Sequence, residues 1–583
     1  MNAGHGTDVR VAGLTVPTPW YPTPWGRMSG SFVAEFARLA RRVADGVHVV
    51  HAQEWPGGAP GGPGVEGLRS AFDAVLDRAA ADGGLRVTGA AGPVTRVPVF
   101  TLGGASVPQR AEAMVRDVRR AVGTFDTPVV HGHVGYWGGL LAARLADPGA
   151  AVFATEHSTG LRAVLADPQG RDHYAELLDR ARRVFCVSGL LRDQILQALP
   201  DRADRIEVLH NPVEFQGVPA RTAPVERLDR WVFVGGLIDR KGVERLVRAF
   251  AVVAAERPQV TLTLYGDGPL RERLVDLARD AGVGDRLDLR GVVPHRRLLA
   301  ELPSYDVLFA PSTYETFHLA VVEAVAAGLP VIVTRSGGPE EALAGVESRV
   351  GLFVDVDDAP DGLVEAHRTL SASLDALDLD GARKELDARF GPDAIAARLA
   401  EAYAVAPALA PSPPQATPVA GTPEPSEPRR LVIVAASAWR RYAVEEELAA
   451  ARRLAVPTVV LTADPQVTGW ARGLRVARPD AALPGAPPAA ADAPPVQPLA
   501  VRARRLAGQV RRRLAGEPVA LPPRGTVLAP DDLAGATVVV TDCQSMPAAR
   551  RIAAAAPTAR FVVELDRGGR LGPPPDSRDE DSP

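Results

Sequence analysis

Cysteine and lysine are both scarce in this chain of 583 residues. Cys186 and Cys543 are its two cysteines, and each ends an apolar run. That placement predicts buried thiols and excludes a disulfide framework or a cysteine-based metal site. The basic residues are arginine except at Lys241 and Lys384. A lysine at 241 indicates a position that needs a compact ammonium group, and chance placement is the alternative.

Long apolar runs and an excess of charge of one sign are also absent. No run is long enough to span a bilayer, and the N-terminus lacks the pattern of a secretion signal. A net charge of -4 gives no general attraction to nucleic acid or membranes. We therefore expect a cytoplasmic enzyme with no nucleic-acid partner, and the length predicts two to four domains.

Short strands alternate with amphipathic helices along most of the chain. This alternation predicts an α/β fold in which two doubly wound, Rossmann-like domains face a cleft, where such sheets bind ligands. A Pro/Ala-rich linker and a smaller α/β region follow. The predicted boundaries are 1–212 and 213–390 for the two large domains, 391–404 for a closing helix, 405–428 for the linker, 429–570 for the small region and 571–583 for a disordered tail.

Two glutamates mark the most informative segment, which lies between a strand at 306–312 and a strand at 330–334. Glu315 ends a loop, and Glu323 lies in an Ala/Val-rich helix that stops at Gly328. Eight residues are just over two helical turns, so both carboxylates can lie along one face. The helix N-terminus between them favours an anion. This combination suits a sugar joined to a diphosphate.

Six segments in a fixed order resemble the family-four retaining glycosyltransferases of the GT-B fold. The resemblance covers residues 8–405 and rests on FVGGLIDRKGV (233–243), LYGDGPL (264–270), LRGVV (289–293), PSTYETFH (311–318), VEAVAAGLPV (322–331) and GLFVD (351–355). It implies that the first domain binds the acceptor and the second binds a nucleoside-diphosphate sugar. The implied reaction moves a hexosyl unit to an acceptor hydroxyl with retained anomeric configuration.

The resemblance also implies a set of site residues. The catalytic positions are His157, Arg240, Lys241 and Glu315. The donor-binding positions are Gly30, Gly266, Gly268, Val292, Val293, Phe317, His318, Leu319 and Glu323. The histidines of the His131-Gly-His133 pair are expected to line the acceptor pocket; such a pair can bind a metal. No carboxylate or cysteine cluster accompanies it, so we expect no metal and no cofactor beyond the donor itself.

Each implied role has a physical reason. Lys241 and Arg240 would stabilise the negative charge that grows on the departing diphosphate. Glu323 would accept hydrogen bonds from the nucleotide ribose, and Glu315 would lie near the donor sugar. The glycines would let the backbone approach the nucleotide. The expected mechanism is a front-face substitution, in which the leaving phosphate takes the acceptor proton.

Two positions depart from the family pattern. Gly236 stands where the family usually has an arginine, and His318 stands where it usually has a glycine. These departures leave the donor and the rate open more than the reaction class.

Residues 499–514 form a basic amphipathic pattern that predicts a helix. The helix either packs on the small region or makes a peripheral membrane contact. The acceptor can be a sugar, a lipid-linked molecule or a small molecule, in cell-envelope, polysaccharide or glycolipid biosynthesis. The alternatives to transfer are another GT-B activity, such as a nucleotide-sugar epimerase or a phosphorylase, and a non-catalytic nucleotide-sugar-binding scaffold.

Overall fold

A computed structural model describes most of the chain. The described residues are 10–24, 30–59, 62, 64–89, 91–221, 223–404, 428, 430–436, 440–462, 464–477, 533 and 535–566. The predicted helix at 499–514, the tail at 571–583 and nearly all of the linker lie outside these residues. No helix among the described residues is long and apolar enough to cross a membrane.

The first sheet has eight strands in the order β3-β4-β2-β1-β5-β6-β7-β8, and its pairs are parallel except β3 with β4. The strands are β1 Leu14–Thr18, β2 Val47–Gly58, β3 Arg86–Gly89, β4 Gly92–Leu102, β5 Val129–His133, β6 Ala151–Glu156, β7 Arg183–Cys186 and β8 Ile206–Val208. The helices are α1 Ser31–Ala40, α2 Val65–Ala81, α3 Val107–Val122, α4 Leu140–Leu145, α5 Leu161–Ala166, α6 Pro168–Arg180 and α7 Gly189–Ala198.

The second sheet has six parallel strands in the order β11-β10-β9-β12-β13-β14. The strands are β9 Arg230–Val234, β10 Thr261–Tyr265, β11 Leu287–Gly291, β12 Val307–Ala310, β13 Val331–Thr334 and β14 Gly351–Val354. The helices are α8 Val243–Glu256, α9 Arg271–Asp280, α10 His295–Glu301, α11 Leu319–Ala326, α12 Gly338–Ala342, α13 Glu347–Val350, α14 Asp361–Ser371, α15 Leu379–Phe390 and α16 Pro392–Ala404.

Helix α16 returns to the first domain. Its buried side chains Ile395, Leu399 and Tyr403 belong to the same apolar cluster as Phe36 of α1. The Tyr403 hydroxyl lies 2.7 Å from Nδ1 of His131 on β5. Helix α16, which follows the second domain, is thus fixed to the core of the first.

The small C-terminal region contains a third parallel sheet, in the order β17-β16-β15-β18-β19. Its elements are β15 Leu431–Val434, β16 Thr458–Leu461, β17 Arg475–Ala477, β18 Thr537–Val540 and β19 Arg560–Val562, with helices α17 Arg441–Leu454, α18 Pro465–Trp470 and α19 Met546–Ala555. The strand order repeats that of the five central strands of the first sheet, β4-β2-β1-β5-β6.

This third unit packs on the first domain through a shared apolar core. Trp55 and Phe72 of the first domain belong to the same buried cluster as Val538 of β18 and Phe561 of β19. The backbones also touch: the Val563 N–H donates to Gly84 O (3.3 Å), and a Cβ at Gly84 would lie 1.7 Å from Phe561 O. The predicted burial of Cys186 and Cys543 is confirmed, and the latter lies in this interface.

Candidate active site

The candidate site lies where the carboxyl ends of β5 and β6 face the N-terminus of α11 across the cleft. The two domains touch directly there. The Thr316 hydroxyl donates to His157 O (3.4 Å), and the Gln194 side chain donates to the Tyr314 hydroxyl (2.8 Å). The Gly189 N–H reaches both carboxylate oxygens of Glu341, at 2.7 and 2.9 Å. The cleft is therefore closed in this arrangement.

Glu315 is the centre of a buried charged cluster. Its Oε1 lies 2.6 Å from Lys241 Nζ and 3.4 Å from Arg240 Nη1. The Arg240 guanidinium also donates to Tyr314 O (2.6 Å), which fixes its orientation. Burial would raise the pKa of Glu315, but His318, Lys241 and Arg240 outweigh burial and lower it to about 2. Three predicted residues are therefore brought together as an ion cluster at the start of α11.

His318 completes this cluster in a strained conformation. Its φ of 74° lies in the left-handed region, which costs a non-glycine residue on the order of 1 kcal/mol. Burial lowers its pKa to about 4, so the imidazole is neutral near pH 7. Its Nε2 has no hydrogen-bond partner among the described residues and lies 3.9 Å from Glu315 Oε1. The positive charge beside Glu315 therefore comes from Lys241 and Arg240.

The N-terminus of α11 presents backbone groups to this cluster. The first backbone bond of the helix runs from Val321 N–H to His318 O (3.1 Å), so earlier amides have no partner within the helix. The Phe317 ring is buried beside His210 and Phe390, with centroids at 5.5 and 5.2 Å. The Phe317 side chain therefore packs in the core. Its backbone and that of Leu319 are the groups that can reach a ligand.

The predicted glycines lie in close contact with the backbone of neighbouring loops. A Cβ at Gly266 would lie 1.9 Å from Gly235 O, and one at Gly268 would lie 2.4 Å from Leu237 O. A Cβ at Gly30, whose φ is 71°, would lie 2.2 Å from Trp20 O. Neighbouring loops therefore already require glycine at these positions, and the approach to the nucleotide stays a prediction.

Glu323 has a partner that sequence reasoning missed. His295 Nε2 lies 2.7 Å from Glu323 Oε1, and His295 Nδ1 lies 3.8 Å from Oε1 of Glu35 on α1. Glu35 also pairs with Arg38. His295 follows the predicted base-binding pair, of which Val292 is exposed and Val293 half-buried. The one available signal was this position directly after Val-Val-Pro, before a helix.

The histidines of the first domain form a stack that ends at the cleft. His157 Nε2 lies 3.0 Å from His133 Nδ1, and the His157 ring lies 4.4 Å from the Phe32 ring. Burial lowers the pKa of His157 to about 3, so it is neutral at physiological pH. His133 Nε2 is buried without a hydrogen-bond partner among the described residues.

His131 does not join them at the cleft. Its side chain is fully buried, and its two ring nitrogens contact the hydroxyls of Tyr403 and Thr155, both at 2.7 Å. Neither nitrogen is free for a ligand. The acceptor contact predicted for His131 is therefore corrected to a structural role beneath His133.

Glu156 is a second residue that the sequence did not single out. Its buried carboxylate accepts hydrogen bonds from the backbone N–H groups of Tyr136 (3.2 Å), His157 (2.8 Å) and Ser158 (2.7 Å). The Tyr174 hydroxyl donates to it as well, at 3.1 Å. These bonds fix the loop that carries His157. Among the described residues, no group of three His, Cys, Asp or Glu side chains could hold a metal ion.

Two family models match most of the segments that form this site. "Glycosyltransferase Family 4" matches residues 75–216, and "Glycosyl transferases group 1" matches residues 229–373. A sucrose-phosphate synthase from Thermosynechococcus elongatus has the same fold, with a TM-score of 0.51 at 19% identity over 67% of this chain and 98% of that one. The predicted fold is confirmed.

Curated relatives are also glycosyltransferases. A GDP-mannose-dependent alpha-mannosyltransferase from Mycolicibacterium smegmatis is 35% identical over 40% of this chain and 62% of its own length. A glycogen synthase from Mycobacterium tuberculosis is 29% identical over 40% of this chain and 56% of its own. The chain spans about half the length of the curated relatives it matches. By their motifs, their family matches and their fold, residues 75–216 and 229–373 match the two domains of the family-four glycosyltransferases of the GT-B fold.

Proposed function

We propose that the chain transfers a hexosyl unit from a nucleoside-diphosphate sugar to an acceptor hydroxyl and retains the anomeric configuration. The observation that carries the proposal is the buried cluster of Glu315, Lys241 and Arg240 at the N-terminus of α11. It combines two fixed cations with unpaired helix amides in a closed cleft. Such a site suits a leaving diphosphate.

The cations act on the leaving group. Glu315 is ionised at physiological pH, since its pKa is about 2, and it keeps the Lys241 ammonium in place. As the glycosidic bond breaks, negative charge on the diphosphate is stabilised by Lys241, Arg240 and the positive end of α11. The acceptor oxygen attacks from the face that the diphosphate leaves, and a phosphate oxygen takes the acceptor proton.

His157 orients the reactants by hydrogen bonding. An imidazole whose pKa is about 3 is neutral, so it does not supply a proton near pH 7. It can hold a hydroxyl of the donor sugar or of the acceptor while Glu156 fixes its backbone. His133, 3.0 Å away, sets the position of its ring.

The acceptor is a sugar, a lipid-linked molecule or a small molecule, and cell-envelope, polysaccharide or glycolipid biosynthesis is the proposed setting. Relatives include a 2-deoxystreptamine glucosyltransferase of Streptomyces kanamyceticus and a lipopolysaccharide core glycosyltransferase of Rhizobium meliloti. Their names span small-molecule and envelope acceptors, which supports this range of classes.

The test is a panel of nucleoside-diphosphate sugars incubated with the full chain, with and without candidate acceptors. We expect acceptor-dependent release of the diphosphate from one donor, and a product with the donor's anomeric configuration by NMR. Inversion would contradict the retaining mechanism. Absence of release from every donor would contradict the proposed reaction.

A non-catalytic donor-binding protein is the second candidate, and Gly236 favours it because one cation of the family pattern is missing there. The same panel separates the two functions. Binding of a donor by calorimetry without release of its diphosphate, in the presence of every acceptor, would support the second candidate.

A further inference from the structure

His295 connects the two domains across the candidate donor site. It begins α10 in the second domain, and its two ring nitrogens face carboxylates on different domains. Nε2 lies 2.7 Å from Glu323 on α11, and Nδ1 lies 3.8 Å from Glu35 on α1. Helix α1 starts directly after Gly30, where the resemblance places the donor diphosphate.

The charges explain why this connection needs a proton. Glu323 lies within hydrogen-bond distance of one imidazole nitrogen and Glu35 at ion-pair distance from the other, and only the doubly protonated cation carries an N–H toward each of them. Burial would lower the pKa of His295, but the hydrogen bonds and charges of Glu323 and Glu35 raise it to about 10. Arg38, which pairs with Glu35, is the remaining charged group on α1 at this point.

We propose that His295 is a cross-cleft strut that ties α1 to Glu323 until the ribose hydroxyls of the nucleotide displace it from Glu323. The strut rests on the proposed function, since that function makes Glu323 a ribose ligand. A ribose that donates to both oxygens of Glu323 meets His295 already bound to Oε1 at 2.7 Å, so the two compete for that oxygen. His295 is thus an internal competitor of the donor for Glu323.

Because the strut depends on a protonated His295, nucleotide binding should be linked to the release of a proton. In the closed chain His295 carries its proton up to pH of about 10, and once freed from Glu323 it titrates nearer its ordinary value of about 6.5. Nucleotide binding between these values therefore releases a proton. Affinity should rise with pH, and the contact of His295 with Glu323 should be fully present near pH 6.5 and lost as pH rises toward 10.

The test compares the full chain with His295→Ala and Glu35→Gln, and with Arg296→Gln at the exposed neighbouring position as the matched control. Calorimetry with UDP, GDP and ADP between pH 7.5 and 9.5 measures affinity and, in two buffers, proton release. Hydrogen exchange of α1 and α10 without ligand reports the closure itself.

For the diphosphate that binds, we expect His295→Ala to bind about threefold to tenfold tighter than the wild type and to release no proton. Glu35→Gln should speed exchange in α1 and α10 without ligand, and Arg296→Gln should match the wild type. Weaker binding by His295→Ala would overturn the strut, because it would mean that His295 orients Glu323 toward the ligand. Unchanged exchange in both His295→Ala and Glu35→Gln would overturn it too. If no diphosphate binds to any variant, the proposed function fails, while the exchange data still decide whether the strut exists.

Discussion

The first and third sheets share one strand order but use their carboxyl edges in different ways. In the first sheet, β5 and β6 end at His133 and just before His157, and this edge faces the second domain across the cleft. In the third sheet, β18 and β19 are followed by Cys543 and Glu564, and this edge faces the first domain.

The contacts at the third edge are those of a docking surface. The Cys543 thiol donates to Trp55 O (3.1 Å), and Glu564 pairs with Arg96 at 3.2 Å, with both side chains about 7% exposed. Asp566 accepts from the backbone N–H of Thr88 at 3.0 Å. Ligands of such sheets bind at the carboxyl edge, where the strand order reverses. The difference shows that the same topology can present this edge either to a ligand or to a neighbouring domain.

The most severe break in this comparison is Trp55→Ala, which removes the side chain at the centre of the docked edge. Trp55 is 1% exposed and also lies under the Arg440 guanidinium. We expect a loss of about 3–5 kcal/mol in unfolding free energy, from lost burial and the cavity left behind. Urea unfolding followed by fluorescence and circular dichroism measures it.

Trp20→Ala is the control, since Trp20 is partly exposed and lies outside this interface. Its effect on the unfolding free energy should be small by comparison. An equal effect of the two substitutions would show that the third unit contributes little to the stability of the first.

Acid should destabilise the first sheet more than the third, and this is the next largest effect. All eleven histidines precede residue 368, so the third unit has none. Burial lowers the pKa of His131 to about 3, whereas an unfolded histidine titrates near 6.5. Unfolding therefore takes up a proton between these values, and stability falls as pH drops from 6.5 toward 3, by at most about 1.4 kcal/mol per pH unit for this residue.

We expect His131→Asn to reduce that slope by about one proton, as measured by urea unfolding at pH 6, 5 and 4. A slope equal to that of the wild type would mean that His131 already carries a proton in the folded chain.

The smallest expected effect on stability concerns the cleft that the carboxyl edge of the first sheet faces. Gly236→Arg restores the residue that the family usually has there. The space allows it, since a Cβ at Gly236 would lie 3.9 Å from Ile238 and 4.0 Å from Asp267 O. We expect less than about 0.5 kcal/mol change in stability and a severalfold lower KM for the donor. A higher KM would show that the donor avoids this side of the cleft.

The sequence predicted elements well where periodicity was strong. The helix that contains Glu323 was predicted to stop at Gly328, and it ends at Ala326. The ion cluster could be anticipated because Arg240, Lys241 and Glu315 lie in motifs. His295 and Glu35 could not, because their partners are 28 and 260 residues away and only the fold brings them together. Two of the four groups that donate to Glu156 likewise lie 20 and 18 residues away.

His131 shows the opposite limit. Alternation along β5 places it on the same side of the strand as His133, so the pattern alone gave both histidines one role. Helix α16 gives His131 a different role from His133, because the Tyr403 hydroxyl contacts one ring nitrogen of His131. A contact across 272 residues leaves no trace in local sequence.

The central claim is that fixed cations at the start of α11 stabilise the leaving diphosphate. The most direct test is the turnover number of Lys241→Ala with the donor found in the panel, beside Lys384→Ala, which removes the other, exposed lysine on α15. We predict at least about a tenfold loss, or about 1.4 kcal/mol in the barrier, for Lys241→Ala and none for Lys384→Ala. Equal turnover in the two variants and the wild type would contradict it.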